Sequence, residues 1–139
     1  MENQSCGILI KQLHTTLERK ANQELQQYGM TTAQVSMLLE LRKVPENRLP
    51  LKQLEKRLHL AQSTTAGLAY RLEQKGLVSY EEEEEDRRVK FIALTDSGRL
   101  CCEAVEGKIS EAEEDLLSCL TETEKEIFLS LLNKVAQSL

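Results

Sequence analysis

The stretch LKQLEKRLHLAQSTTAGLAYRLEQKGLV, residues 51–78, decides the fold of this chain. Leucines at positions 51, 54 and 58 recur at helical spacing, which predicts a short helix at its start. The polar segment that follows places Ser and Thr where a helix N-cap is expected, so a second helix should run from about Ser63 to Lys75. Gly76 is expected to end it. The stretch therefore predicts two short helices joined by a tight turn.

The second helix has two unlike sides. At about 100° per residue, the side chains expected to pack fall together on one side: Thr65, Leu68, Ala69 and Leu72. The opposite side is free to contact a partner and carries Ser63, Thr64, Gly67, Tyr70, Arg71 and Gln74. Taken alone, such a polar side is more often solvated than bound to DNA, so the neighbouring elements decide its interpretation.

A β-hairpin is predicted directly after the two helices. Residues 77–80 and 90–94 are apolar, tolerate β structure and are separated by a charged turn. Before the helices, Pro45 and Pro50 are expected to bracket a loop. Two short helices followed at once by a hairpin form the winged helix-turn-helix layout, in which the second helix enters the major groove of DNA.

Helices are also predicted on both flanks of this layout. An apolar residue recurs every fourth position over residues 6–28, which predicts a helix that Gly29 ends. Residues 31–34 and 121–124 have the pattern of a capping box, and residues 95–98 offer a further helix start. The predicted fold class is thus mainly α with a small β-hairpin wing, an α+β arrangement whose terminal helices flank a winged helix-turn-helix core.

The charge of the chain is unevenly distributed. The formal net charge of −5 argues against a nucleic-acid partner, because duplex binding depends on Lys and Arg neutralising phosphates. Residues 91–139, however, hold four basic and ten acidic side chains, and six of the eight acids between positions 51 and 90 form the single run Glu81–Asp86. The predicted winged motif is therefore a basic element with an acidic insert.

Several classes of function find no support. The sequence has no glycine-rich phosphate loop, GxSxG elbow or HExxH motif, so we expect no enzyme and no cofactor. The four cysteines lack CxxC spacing and neither histidine lies near them in sequence, so no metal site is expected. We also expect no export signal and no membrane span, which favours the cytoplasm.

Four stretches together resemble the MarR family of regulators. They are MTTAQVSMLLEL at residues 30–41, the opening stretch at 51–78, DRRVKFIALTDSGR at residues 86–99, and the paired C-terminal helices. The resemblance implies a triangular homodimer with interleaved terminal helices, whose two winged motifs bind adjacent half-sites of a near-palindrome in double-stranded DNA. That the C-terminal helix packs within its own chain is the alternative left open by periodicity alone.

The resemblance also divides the chain. It implies one MarR-like domain over residues 1–139, with a DNA-binding core at about 30–95. Residues 1–28 and 97–139 are then the dimerisation helices.

The resemblance implies a DNA-binding site on the second helix and the wing. Ser63, Thr64, Gly67 and Arg71 match the groove-facing side of the recognition helix, and Arg88 matches a wing-tip arginine that enters the minor groove. Asp86 matches the carboxylate that orients this arginine, although the residues alone favour a solvated turn here. The candidate DNA-binding residues, with their neighbours in sequence, are Gln62, Ser63, Thr64, Thr65, Gly67, Arg71, Asp86, Arg87, Arg88 and Lys90. Three features depart from the family: Gly67 removes a possible guanine contact, Tyr80 stands where a basic residue is common, and the wing before Asp86 is all glutamate. These departures predict a low phosphate affinity.

The resemblance further implies a release signal. Either a small apolar or phenolic effector enters a pocket between the winged motif and the dimer helices, or a thiol is oxidised. Cys6 is similar in placement to the reactive cysteine of the peroxide-sensing branch of the family. No tyrosine precedes Tyr28 in the first helix to accompany that thiol, so a buried structural Cys6 is the favoured alternative. Cys101 and Cys102 are expected to be packing residues.

These observations predict a sequence-specific DNA-binding transcriptional regulator, a homodimeric repressor gated by a ligand or by oxidation. The alternative is a winged-helix protein-interaction or antirepressor module that does not bind DNA and whose acidic wing mimics phosphate. Arg71, Arg87, Arg88 and Lys90 favour the first hypothesis.

Overall fold

A computed structural model describes residues 5–83, 85–86 and 88–139 of the chain. These residues form six α-helices and one three-stranded antiparallel sheet, in the helix and hairpin order that the sequence predicts. In chain order the elements are α1 Cys6–Leu25, α2 Thr32–Lys43, β1 Arg48–Pro50, α3 Leu51–Leu58, α4 Gln62–Gln74, β2 Val78–Glu82, β3 Lys90–Leu94, α5 Asp96–Leu116 and α6 Glu122–Gln137, with short 3₁₀ turns at Gln26–Tyr28 and Pro45–Asn47.

Both predicted capping boxes are present. At the start of α2, the Gln34 backbone N–H donates to Thr31 Oγ1 and the Thr31 N–H donates to Gln34 Oε1, each at 3.2 Å. Thr121 and Glu124 make the same reciprocal pair at the start of α6. Each cap satisfies two backbone donors that a helix start leaves free, a contribution of about 1 kcal/mol.

The start of α4 differs from the prediction. The helix begins at Gln62, one residue early, and its N-cap is Ala61, so the expected Ser or Thr cap is wrong. The α3–α4 turn sets this start, because His59 adopts the left-handed conformation at φ 54° and the Leu60 N–H donates to the Glu55 carbonyl. The turn then brings the extended backbone of Ala61 to the cap position and places Ser63 inside the first helical turn.

The sheet has one strand more than predicted. The hairpin β2–β3 is present, but β1 pairs along the other side of β3, with Arg48 opposite Ala93 and Pro50 opposite Phe91. The loop expected between Pro45 and Pro50 is therefore a 3₁₀ turn and an edge strand. A strand of three residues that ends in proline gives little sequence signal, and an edge position tolerates the missing N–H of Pro50.

One hydrophobic core joins α2, α3, α4, the inner face of the sheet, the C-terminal part of α1 and the first half of α5. In contrast, α6 buries none of its residues. The exposed apolar side chains lie mainly on α6 and the first half of α1, and include Ile8, Leu9, Ile10, Leu13, Ile127, Leu129, Leu131, Leu132 and Val135. None of the described helices combines the length and apolar character that a membrane span requires.

The first turn of α5 is fastened to the base of the hairpin. The Thr95 N–H donates to the Leu77 carbonyl at 3.1 Å, and Thr95 Oγ1 donates to the Gly76 carbonyl at 2.7 Å. Gly98 packs so closely that a Cβ there would lie 2.2 Å from the Leu77 carbonyl oxygen. The hairpin and α5 consequently form one rigid corner.

Candidate nucleic-acid interface

One side of α4 is exposed, as its sequence pattern predicts. Leu68, Ala69 and Leu72 are buried in the core, which fixes the orientation of the helix. The exposed residues of α4 are Gln62, Ser63, Thr64, Gly67, Tyr70, Arg71 and Gln74. Hydroxyl, amide and guanidinium groups on one exposed helix face are the groups that read base edges in the major groove.

Thr65 is the one candidate on α4 that is not exposed, so its prediction as a DNA-binding residue is wrong. Its side chain is fully buried, and its hydroxyl donates to the Ala61 carbonyl at 2.9 Å. The same carbonyl also accepts the Thr65 backbone N–H at 3.0 Å, so the hydroxyl bonds within its own helix. Thr65 therefore packs in the core beneath α4 and has no exposed surface that a partner could contact.

The wing tip brings Asp86 and Arg88 together. Both the backbone N–H and the Nε of Arg88 donate to Asp86 Oδ1, at 3.0 and 3.2 Å, while the Val89 N–H donates to the Asp86 carbonyl. The Arg88 side chain is 93% exposed, so the pair constrains a guanidinium that otherwise projects into solvent. Lys90 is exposed at the start of β3, and Arg87 lies outside the described residues.

The acidic run does not act as one block. Arg48, on the edge strand, donates from Nη1 to Glu81 Oε2 at 2.9 Å. Its guanidinium carbon lies 4.1 Å from the centroid of the Phe91 ring. Glu82 and Glu85 are exposed, and Glu84 lies outside the described residues. The role of Arg48 was not predicted from the sequence, because pairing across 33 positions with an unpredicted strand leaves no local pattern.

Lys75 is a second residue whose contacts were not predicted from the sequence. Its ammonium group, at the C-terminal end of α4, donates to the Gly29 carbonyl and lies 3.4 Å from Gln34 Oε1. Gln34 belongs to the capping box of α2, and Gly29 ends the 3₁₀ turn after α1. The end of the exposed helix is thereby joined to the corner between α1 and α2.

A cleft of about 490 Å³ lies between the helix-turn-helix and the long helices. Two side-chain contacts lie in its wall: Arg57 Nη1 is 3.3 Å from Glu40 Oε2, and His14 Nε2 is 3.5 Å from Glu18 Oε2. The rest of the lining is mostly apolar or small and comprises Leu17, Ala21, Thr32, Ala33, Ser36, Leu39, Leu58, Leu60 and Ile109. An apolar cleft with a few polar groups is suited to a small amphipathic ligand.

The cysteines differ from expectation at one position. Cys6 is exposed, so the favoured interpretation as a buried thiol is wrong for the single chain, because no element among the described residues packs over the start of α1. Cys102 is buried and Cys101 is partly buried, as expected of packing residues, and burial raises the pKa of both thiols.

Within the described part of the chain, no group of three or more His, Cys, Asp or Glu could hold a metal ion.

Comparison with known proteins identifies this architecture. Residues 28–89 match the model of the MarR family. The transcriptional repressor MdtR of Bacillus subtilis is 29% identical over 129 residues, which cover 93% of this chain and 82% of MdtR.

Solved structures agree with the sequence match. S. aureus MepR, solved in complex with DNA, is 30% identical with a TM-score of 0.85 and covers 99% of this chain and 100% of its own. Sco3205, a MarR family transcriptional regulator from Streptomyces coelicolor, was also solved with DNA. It is 26% identical with a TM-score of 0.81, and the match covers 94% of this chain and 82% of Sco3205. The family match includes α4 and the wing tip, and the structural match extends over nearly the whole chain. The chain belongs to the MarR family of winged helix-turn-helix transcriptional regulators.

Proposed function

We propose that this protein is a sequence-specific repressor that binds a near-palindromic operator in double-stranded DNA as a homodimer. The observation that carries the proposal is the pairing of an exposed polar face on α4 with an exposed wing arginine held by Asp86. The DNA complexes of MepR and Sco3205 support the same use of the fold.

In this proposal α4 lies in the major groove. Ser63, Thr64 and Arg71 face the base edges there, and Gln62 lies at the first turn, beside the phosphates. Gly67, without a side chain, allows the helix to approach the groove closely. The exposed lysines of α3, Lys52 and Lys56, add positive charge on the same motif.

The wing extends the contact into the minor groove. Arg88 enters this groove, where a narrow width concentrates negative potential, and Asp86 limits the directions that its side chain can take. Lys90 contributes charge from the start of β3, and Arg87 is the preceding residue in the sequence. A guanidinium that is already oriented loses less conformational entropy when it binds.

The homodimer is formed by the terminal helices. Residues 1–28 and 97–139 supply the interface, residues 30–95 supply the DNA-binding core, and the chain 1–139 acts as one domain. The exposed apolar faces of α1 and α6 support this assignment, because such a large apolar surface is unusual on a monomer and typical of an obligate interface.

The cleft between α1, α2 and α3 is the proposed effector site. A small apolar or phenolic molecule fits its apolar lining, and the Arg57–Glu40 pair gives the ligand a polar group to engage. Binding there would alter the packing of α3, and with it the position of α4. Oxidation of the exposed Cys6 is the second candidate signal.

The same proposal places the protein in a bacterial cytoplasm, with the chromosome, and assigns it no enzymatic activity. Its relatives act as transcriptional regulators, as the name of MdtR states.

The proposal is tested by fluorescence anisotropy with duplex DNA taken from upstream of the protein's own gene. We expect the wild type to bind this duplex and Arg71→Ala and Arg88→Ala to weaken binding, while Lys108→Ala, a matched charge loss on α5, leaves it unchanged. Binding by none of the proteins at low salt, together with capture of a protein partner through the wing, would establish the antirepressor alternative instead.

A further inference from the structure

Arg48 makes contacts across the whole width of the sheet. It lies in the edge strand β1 opposite Ala93, stacks over Phe91 of the central strand β3 at 4.1 Å, and bonds to Glu81 of β2 at 2.9 Å. Glu81 and Phe91 are themselves opposite each other in the β2–β3 register. The three side chains therefore lie on one face of the sheet, and one guanidinium joins all three strands.

This clamp, Arg48–Phe91–Glu81, sits just below the wing tip. Glu81 precedes Asp86 by five residues and Phe91 follows Arg88 by three, so the clamp holds both strands that support the tip. An isolated two-stranded hairpin is marginally stable in water, and its tip has no fixed direction without additional contacts. The clamp supplies such a contact on the face opposite the core.

The clamp also connects the wing to the helix-turn-helix. Pro50 ends β1 and Leu51 begins α3 without an intervening residue, so the backbone of Arg48 is continuous with the motif that positions α4. The Arg48 side chain is only 30% exposed, since the ring covers one side of it and Glu81 and Glu46 lie near its nitrogen atoms. The Arg48 guanidinium is thus engaged in contacts within the protein and is not free to contact phosphate.

We propose that Arg48 is a positioning residue for DNA binding, which acts through Glu81 and Phe91 to fix the direction of the wing that carries Arg88. The proposal rests on the DNA-binding function proposed above. It makes Glu81 a favourable residue for binding, although its carboxylate is negative and close to the expected path of the DNA.

The test compares two glutamates of β2 that differ by one position. Glu81→Ala and Glu82→Ala each remove one negative charge from the wing, but only Glu81 belongs to the clamp. We expect Glu81→Ala and Arg48→Ala to weaken operator binding by about threefold to tenfold, as loss of a partly shielded ion pair and a cation–π contact implies. Glu82→Ala should bind the operator as tightly as the wild type or more tightly. Arg48→Lys keeps the charge without the planar group and should fall between.

A double variant separates positioning from direct contact. If Arg48 acts through the wing, Arg48→Ala adds little to the effect of Arg88→Ala, because the positioned arginine is already absent. Additive losses would show that Arg48 contacts DNA itself, and Glu81→Ala binding as tightly as the wild type would also overturn the proposal. Should the wild type bind no duplex, the function proposal fails separately, and the clamp is then tested by hydrogen exchange: Glu81→Ala should accelerate exchange of the β2 and β3 amides and Glu82→Ala should not.

Discussion

Arg88 is the residue whose removal should most directly affect DNA binding. Its guanidinium is almost fully exposed, so Arg88→Ala should leave the fold intact. Loss of a minor-groove arginine is expected to weaken operator binding by about 1–3 kcal/mol, measured by anisotropy at fixed salt. Asp86→Asn keeps a polar acceptor but weakens the charge-assisted bond, and should produce a smaller loss in the same direction. An unchanged affinity for Arg88→Ala would exclude the wing from the interface.

Gly98 tests how tightly α5 is joined to the hairpin. A Cβ at this position would lie 2.2 Å from the Leu77 carbonyl oxygen, a backbone atom that also accepts the Thr95 N–H. Gly98→Ala should therefore destabilise the protein by about 1–3 kcal/mol or more in thermal or urea unfolding. Gly107, on the same helix, is the matched control because a Cβ there would meet nothing within 4 Å, and Gly107→Ala should stabilise by about 0.5–1 kcal/mol. Equal effects of the two changes would contradict the close packing at Gly98.

The cysteines should differ in their rates of alkylation. The reactive species is the thiolate, and burial raises the pKa of Cys101 and Cys102, which keeps both thiols protonated at neutral pH. Cys119 is exposed in the turn before α6. Limiting iodoacetamide at pH 8 followed by peptide mass spectrometry should find Cys119 modified well before Cys102. Early modification of Cys102 would mean that α5 opens readily.

At the scale of elements, the acidic wing opposes the function proposed for it. Replacing Glu82, Glu83 and Glu85 with Gln removes three charges and leaves the clamp residue Glu81 intact. We expect tighter binding to operator and to unrelated duplex alike, because repulsion of phosphate does not depend on sequence. The gain should shrink as salt rises from 50 to about 150 mM, where the Debye length is roughly 8 Å. No change at either salt would show that these carboxylates point away from the DNA.

Most helices were predictable because the signals that start and end them are local. Thr31 with Gln34, and Thr121 with Glu124, lie three residues apart, and each pair forms the expected cap. Gly76 has φ 74° just after α4, which is the conformation that its place in the sequence indicates.

The parts that escaped prediction depend on distant contacts. Strand β1 exists because β3, more than forty residues away, pairs with it, and Arg48 gains its partners only through that pairing. The burial of Thr65, in contrast, agrees with its predicted place on the packing side of the helix, and only its listing as a DNA-binding candidate was wrong. Asp86 and Arg88 could be placed only by resemblance to the family, since two charged residues in a turn usually remain solvated.

At the scale of the whole molecule, the terminal helices should hold two chains together. Leu131 and Ile127 lie on an α6 face that nothing in the described chain covers. Light scattering should give the mass of two chains at micromolar concentration. Leu131→Glu should shift this mass toward that of one chain, because a buried unpaired charge is costly in an apolar interface, whereas Glu126→Gln on the same helix should leave it unchanged. A wild-type mass of one chain would refute the dimer.

The absence of buried residues on α6 also links the folding of the protein to its abundance. A helix of sixteen residues that buries none of them in its own chain is only marginally stable in water, so in a chain without a partner α6 is expected to fray. Dilution should then lower the helix content seen by circular dichroism, and the melting temperature should rise with protein concentration. In the cell, proteases would degrade unpaired chains in preference to paired ones, and the quantity of active regulator would fall more steeply than its rate of synthesis.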